Sequence, residues 1–114
     1  MLIAAKGKKM SQDKYADLLQ PYEEIWLEKN IINTYINDQG GTINDILFKI
    51  EPIEEGFLFV LKLTVSGIDS LTEETENLIL DKVEALTDDM YDEFEQYGLN
   101  PEELIDFRID LIKE

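Results

Sequence analysis

The run Phe57-Leu58-Phe59-Val60-Leu61-Lys62-Leu63-Thr64-Val65 constrains this chain more than any other stretch. Phe57, Phe59, Leu61, Leu63 and Val65 alternate onto one face, the period of two that marks a strand. The opposite face, Leu58, Val60, Lys62 and Thr64, is itself apolar at one end. A strand apolar on one whole face and part of the other is central, covered on part of both sides. It therefore needs neighbours, and the flanking sequence supplies two.

Upstream, Ile46, Phe48 and Ile50 alternate with Leu47, Lys49 and Glu51 until Pro52 closes the run. With Ile53-Glu54-Glu55-Gly56 as the turn, this reads as the first strand of a hairpin, although 42–50 also fits a short helix. Downstream, Ile105, Phe107, Ile109 and Leu111 alternate with Asp106, Arg108 and Asp110, a third strand. The competing helix over 101–113 groups Leu104, Ile105, Ile109 and Ile112 but strands Phe107 and Leu111.

Helical spacing fills the remainder. Ser11 is a candidate cap for a first short helix carrying Tyr15, Leu18 and Leu19. Pro21 suits the first turn of a second, with Glu23 and Glu24 at its positive end. That helix aligns Tyr22, Ile25, Trp26, Lys29, Ile32 and Ile36 and stops before Gly40-Gly41. Ser70 with Glu73 has capping-box spacing, with Thr72 as a rival cap. From there Ile79, Val83, Leu86, Met90, Phe94 and Tyr97 step by four and three, predicting one helix of about seven turns. Gly98 ends it, with Leu99 folding back on Phe94. Asn100-Pro101-Glu102-Glu103 has the form of a cap and a short first turn. The expected fold class is α+β: a small three-stranded mixed sheet, made of a β-hairpin and a C-terminal strand, with helices on one face. The element order is α-α-β-β-α-(α)-β, and the return to the last strand should run parallel.

A length of 114 residues has room for one domain, and a 44% apolar share argues against disorder despite the charge. The expected organisation is a flexible basic N-terminal arm over 1–10 and a single α+β domain over 11–114. Met1-Leu2-Ile3-Ala4-Ala5-Lys6 lacks the apolar length and the preceding charge of a secretory signal, and Lys62 interrupts the longest apolar run. The expected location is cytoplasmic, with no membrane partner.

The sequence contains neither His nor Cys. Imidazole bases, thiolate nucleophiles, disulfides and most zinc or redox-metal sites are thereby excluded. The Glu-x-x-His element of di-iron bundles is excluded with them. Asp88-Asp89-Met90-Tyr91-Asp92-Glu93 has the acid density of a calcium loop but Glu93 where the turn glycine belongs. Gly40-Gly41 lacks the further glycines and lysine of a phosphate cradle and reads as a turn. Paired carboxylates are inevitable among 26 acids, and acid/base catalysis needs in addition a cleft and one carboxyl shifted upward by burial. The expectation is a non-catalytic protein with no cofactor and no bound metal.

Charge is unevenly placed. Lys6, Lys8, Lys9 and Lys14 face only Asp13 in the first 14 residues. Residues 63–107 carry 14 acids and one base, Lys82, a net of −13 within a total of −16. Phosphate backbones and anionic membranes are repelled by such a block, which argues against direct nucleic-acid binding. On the long helix, Glu74, Asp81, Glu84, Asp88, Asp92 and Glu95 lie opposite the apolar stripe. Like charges at i,i+4 destabilise a helix by about 0.2–0.5 kcal/mol per pair, so packing alone does not select such a row. Its spacing resembles that of phosphates along one nucleic-acid strand. These six residues are the expected partner-binding site for a basic protein: a nucleic-acid-binding protein, a nuclease or a toxin. A DNA-mimicking inhibitor or an immunity-type protein of a bacterium or mobile element fits this description. The alternative is a structural or self-assembling homo-oligomer, working through the exposed sheet face (Leu58, Val60) or an edge strand, its acids serving only solubility.

Overall fold

A computed structural model describes residues 15–114. The expected arm over 1–10 and the Ser11 cap lie outside the described residues. The elements are α1 (Ala16–Glu28), α2 (Asn33–Asp38), β1 (Thr42–Ile53), β2 (Gly56–Ser66), α3 (Glu73–Asp89), α4 (Tyr91–Gln96), a 3-10 turn (Pro101–Glu103) and β3 (Leu104–Lys113). The three strands form one sheet in the order β1-β2-β3, with β1 antiparallel and β3 parallel to β2. The fold is thus the α+β arrangement read from the sequence, and both ambiguous segments are strands.

One face of β2, Phe57, Phe59, Leu61, Leu63 and Val65, is buried beneath the helices. A series of ring contacts spans this core. Trp26 of α1 meets Phe48 edge-on at 5.0 Å, Phe48 lies 5.3 Å from Phe59, and Phe59 lies 6.2 Å from Phe94 of α4. Such geometries add about 0.5–1.5 kcal/mol per pair beyond area burial. On the opposite face Val60 is fully buried. It lies in register between Lys49 and Arg108, whose aliphatic stems flank it, and Arg108 is held over the sheet by Glu51 at 2.8 Å and Asp110 at 3.0 Å. The expectation of an exposed working surface at Leu58 and Val60 is corrected at Val60, which is buried, whereas Leu58 is half-buried. Exposed apolar side chains on that face are Leu47, Ile53 and Ile112.

Several boundaries differ from the sequence reading. Pro21 does not interrupt: α1 runs through it. Only one intrahelical bond is forfeited by its missing N–H, while Leu18, Leu19 and Trp26 remain buried on one face. The helix ends instead at Asn30, which adopts φ 53° while the Ile31 N–H bonds back to the Trp26 carbonyl at 3.1 Å. Asparagine tolerates this left-handed closing position. The expected stripe from Tyr22 to Ile36 is therefore split between α1 and α2, and Ile25 is exposed.

Pro52 belongs to β1, and the hairpin turn is Glu54-Glu55 alone, since Ile53 pairs with Gly56. A Cβ at Gly56 would lie 2.1 Å from the Glu103 carbonyl oxygen, so glycine is required where the 3-10 turn crosses the hairpin. Bulges disturb the alternation twice. Asn44 is the extra residue between the Ile43 and Asp45 pairs, which puts both Ile43 and Ile46 in the core. Ile105 is the extra residue in β3, so Leu104 packs against the core and Ile105 is half exposed.

Thr72, not Ser70, caps α3: its hydroxyl accepts the Thr75 N–H at 3.2 Å. The single seven-turn helix is broken at Met90 into α3 and α4. The Thr87 hydroxyl donates to the Glu84 carbonyl at 2.8 Å, a side-chain competition that bends helices. The Met90 N–H is then shared between the carbonyls of Leu86 and Thr87. The predicted end holds: Gly98 is left-handed at φ 82°, and the Leu99 N–H reaches the Phe94 carbonyl at 2.8 Å. Asn100 caps the 3-10 turn through the Glu102 N–H at 3.0 Å.

Candidate functional site: the outer face of the long helix

All six acids expected to form a partner site are exposed. The structure groups four of them and separates two. Glu74, Asp81, Glu84 and Asp88 lie on α3, whose buried side is Thr75, Ile79, Val83, Leu86 and Thr87. At about 100° per residue the four carboxylates occupy a wedge of about 80° centred opposite that buried side. From Glu74 to Asp88 the row extends about 21 Å along the helix axis. Asp92 and Glu95 lie on α4, beyond the break at Met90.

None of these six carboxylates takes part in an ion pair among the described residues; the three that occur involve Glu51, Asp110 and Asp69. The α3 row is thus a set of solvated charges held at fixed spacing by a helix whose other side is anchored in the core. Its field adds to that of Glu73 and Glu76 at the helix start. What such a surface does chemically is attract and orient cationic groups.

Two further acids have structural work that sequence reading did not anticipate. Glu93 accepts a short hydrogen bond from the Tyr22 hydroxyl and so ties α4 to α1. Burial, followed by the Glu93 bond and the negative charges of Glu93 and Asp89, pushes the Tyr22 phenol up to about 12. Glu23, half-buried in α1, accepts the outward N–H of Phe48 on β1 at 2.8 Å. Burial raises its pKa, the Phe48 N–H opposes the rise, and neighbouring Asp45 and Glu24 add to it. Glu23 lies in an open groove of about 970 Å³ between α1 and β1, bounded also by Leu19, Leu27, Ile50 and Pro52. Through its bond to the Phe48 N–H the Glu23 carboxylate joins α1 to β1. No spacing rule links Glu23 to Phe48, so only the packing of α1 on β1 could have revealed the pair.

Among the described residues, no group of three or more His, Cys, Asp or Glu is arranged to hold a metal ion. No helix among them is long and apolar enough to cross a membrane. Comparison of the chain with known protein families, with curated proteins and with solved structures returned no match.

Proposed function

We propose that this protein is a non-catalytic binding module that docks the basic surface of a partner protein through the outer face of α3. The observation that carries the reading is the row Glu74, Asp81, Glu84 and Asp88: exposed, without an ion-pair partner among the described residues, and set opposite the buried side of one anchored helix. Partners of the matching chemistry are proteins whose own ligand is a polyanion, such as a nuclease, another nucleic-acid-binding protein or a toxin. Occupying their phosphate-binding groove with carboxylates would make this chain an inhibitor or immunity-type protein. Electrostatic complementarity of this kind accelerates association and makes it steeply salt-sensitive.

Converting Asp81, Glu84, Asp88 and Asp92 to Lys tests the reading. The reversals exchange the Glu84–Asp88 like-charge pair for a Lys–Lys pair at the same spacing and touch no buried side chain, so the fold should stay intact. Capture of a basic protein at low salt should be lost in the variant, as it should be from the native chain when salt is raised. Capture undiminished by the four reversals would refute the proposal.

A further inference from the structure

The two edges of the sheet are finished differently. Along β1, the outward N–H of Ile46 is bonded by the Asp45 carboxylate at 2.8 Å and that of Phe48 by Glu23, while Pro52 has no N–H to offer. Acids and proline on an edge strand block the addition of another strand. β3 carries such a finish only near its start. The Glu114 N–H bonds the Val65 carbonyl, so by alternation Asp106, Arg108, Asp110 and Ile112 direct their backbone groups to β2. Phe107, Ile109 and Leu111 direct theirs outward. Of these three, only the Phe107 N–H has a partner among the described residues, the exposed and releasable carboxylate of Asp106 at 2.8 Å. The side chains of Phe107, Ile109 and Leu111 are only partly buried against the core.

We propose that β3 pairs antiparallel with β3 of a second copy about a twofold axis at Ile109, joining two sheets into one of six strands. The sequence of β3 is self-complementary in that register. Ile109 faces Ile109, and Phe107 faces Leu111 on the helix side, covering the apolar surface that α3 leaves open. On the other side Arg108 of each copy faces Asp110 of the other, giving two opposite-charge pairs. All three facing positions carry outward backbone groups, as closely hydrogen-bonded pairs of an antiparallel ladder require. The neighbouring registers lack this match. A shift of two residues one way sets Arg108 against Arg108 and Asp106 against Asp110. A shift the other way sets Asp110 against Asp110. Like charges directly opposite destabilise a sheet, so the charges select one register. This inference is independent of the acidic face of α3.

The test is sedimentation at about 0.15 M salt, where the screening length of about 8 Å moderates the repulsion between two chains of net charge −16. Over a range from about 5 µM to about 0.5 mM the native chain should pass from monomer to dimer, with exchange of the Ile109 and Leu111 amides slowing in parallel. Arg108→Asp alone, and Asp110→Arg alone, should each weaken dimerisation by about tenfold or more, while the double variant should restore it. Mixing the two single variants should produce a heterodimer, which also shows that both are folded. A native chain that stays monomeric throughout overturns the proposal and leaves the edge to a strand of some other protein. A dimer indifferent to both reversals, or not restored in the double variant, also overturns it.

Discussion

Replacing Glu23 separates its two effects, because hydrogen bonding and burial act on it in opposite directions. Its carboxylate accepts the Phe48 N–H at 2.8 Å, and a bond to a charged acceptor is worth about 1.5–3 kcal/mol. Burial raises its pKa above 4.5, so the folded state disfavours the ionised form and part of that bond is offset. Glu23→Ala removes the acceptor and should cost about 1 kcal/mol net, or about 4–8 °C in Tm for a domain of this size. Glu23→Gln keeps an acceptor oxygen and discards the buried charge, and should match or exceed the native stability at pH 7. The pH dependence follows from linkage: a carboxyl with a raised folded pKa takes up its proton in the native state first. Its contribution therefore increases as pH falls through the folded pKa, and is lower above it. The difference in stability between the native chain and Glu23→Gln should shrink over that window. Urea unfolding followed by the fluorescence of Trp26, buried 5.0 Å from Phe48, reads all three proteins. A Gln variant that loses as much stability as the Ala variant, or an Ala variant that loses none, would refute the reasoning.

Two other perturbations test separate joints of the fold. Gly56→Ala forces a methyl into the 2.1 Å space before the Glu103 carbonyl, and should cost about 2–3 kcal/mol in urea midpoint measurements because backbone has to move. For Tyr22, a folded pKa of about 12 against an ordinary 10 means that stability is fully present below pH 10 and is lost as pH rises toward 12. Tyr22→Phe should abolish that alkaline segment of the stability profile, and the phenolate absorbance lost in the variant should be a late-titrating component.

How much was legible in the sequence depended on whether a residue's role was local. The alternation from Phe57 to Val65 identified the central strand because the period of two states directly which side chains share a face. The Gly98 terminus and the Asn100 cap were equally legible, since each involves bonds closed within a few residues. The four acids of α3 were placed correctly opposite the core by helical period alone. That Asp92 and Glu95 stand on a separate helix was not legible, because the break at Met90 depends on a threonine hydroxyl bonding a carbonyl and on burying Met90 and Phe94 together.

The sequence by itself determined the fold class, the element order, the absence of imidazole and thiol chemistry, and a concentration of negative charge after the central strand. Tertiary structure alone decided which acids are solvated and which are structural. Glu23 and Glu93 are as acidic in sequence as Glu84, yet one satisfies an edge strand, another anchors a tyrosine, and the third faces water. It also decided that one sheet edge is closed while the other carries a self-complementary strand. The reason is physical: burial and backbone satisfaction are set by neighbours distant along the chain, and no local period encodes them.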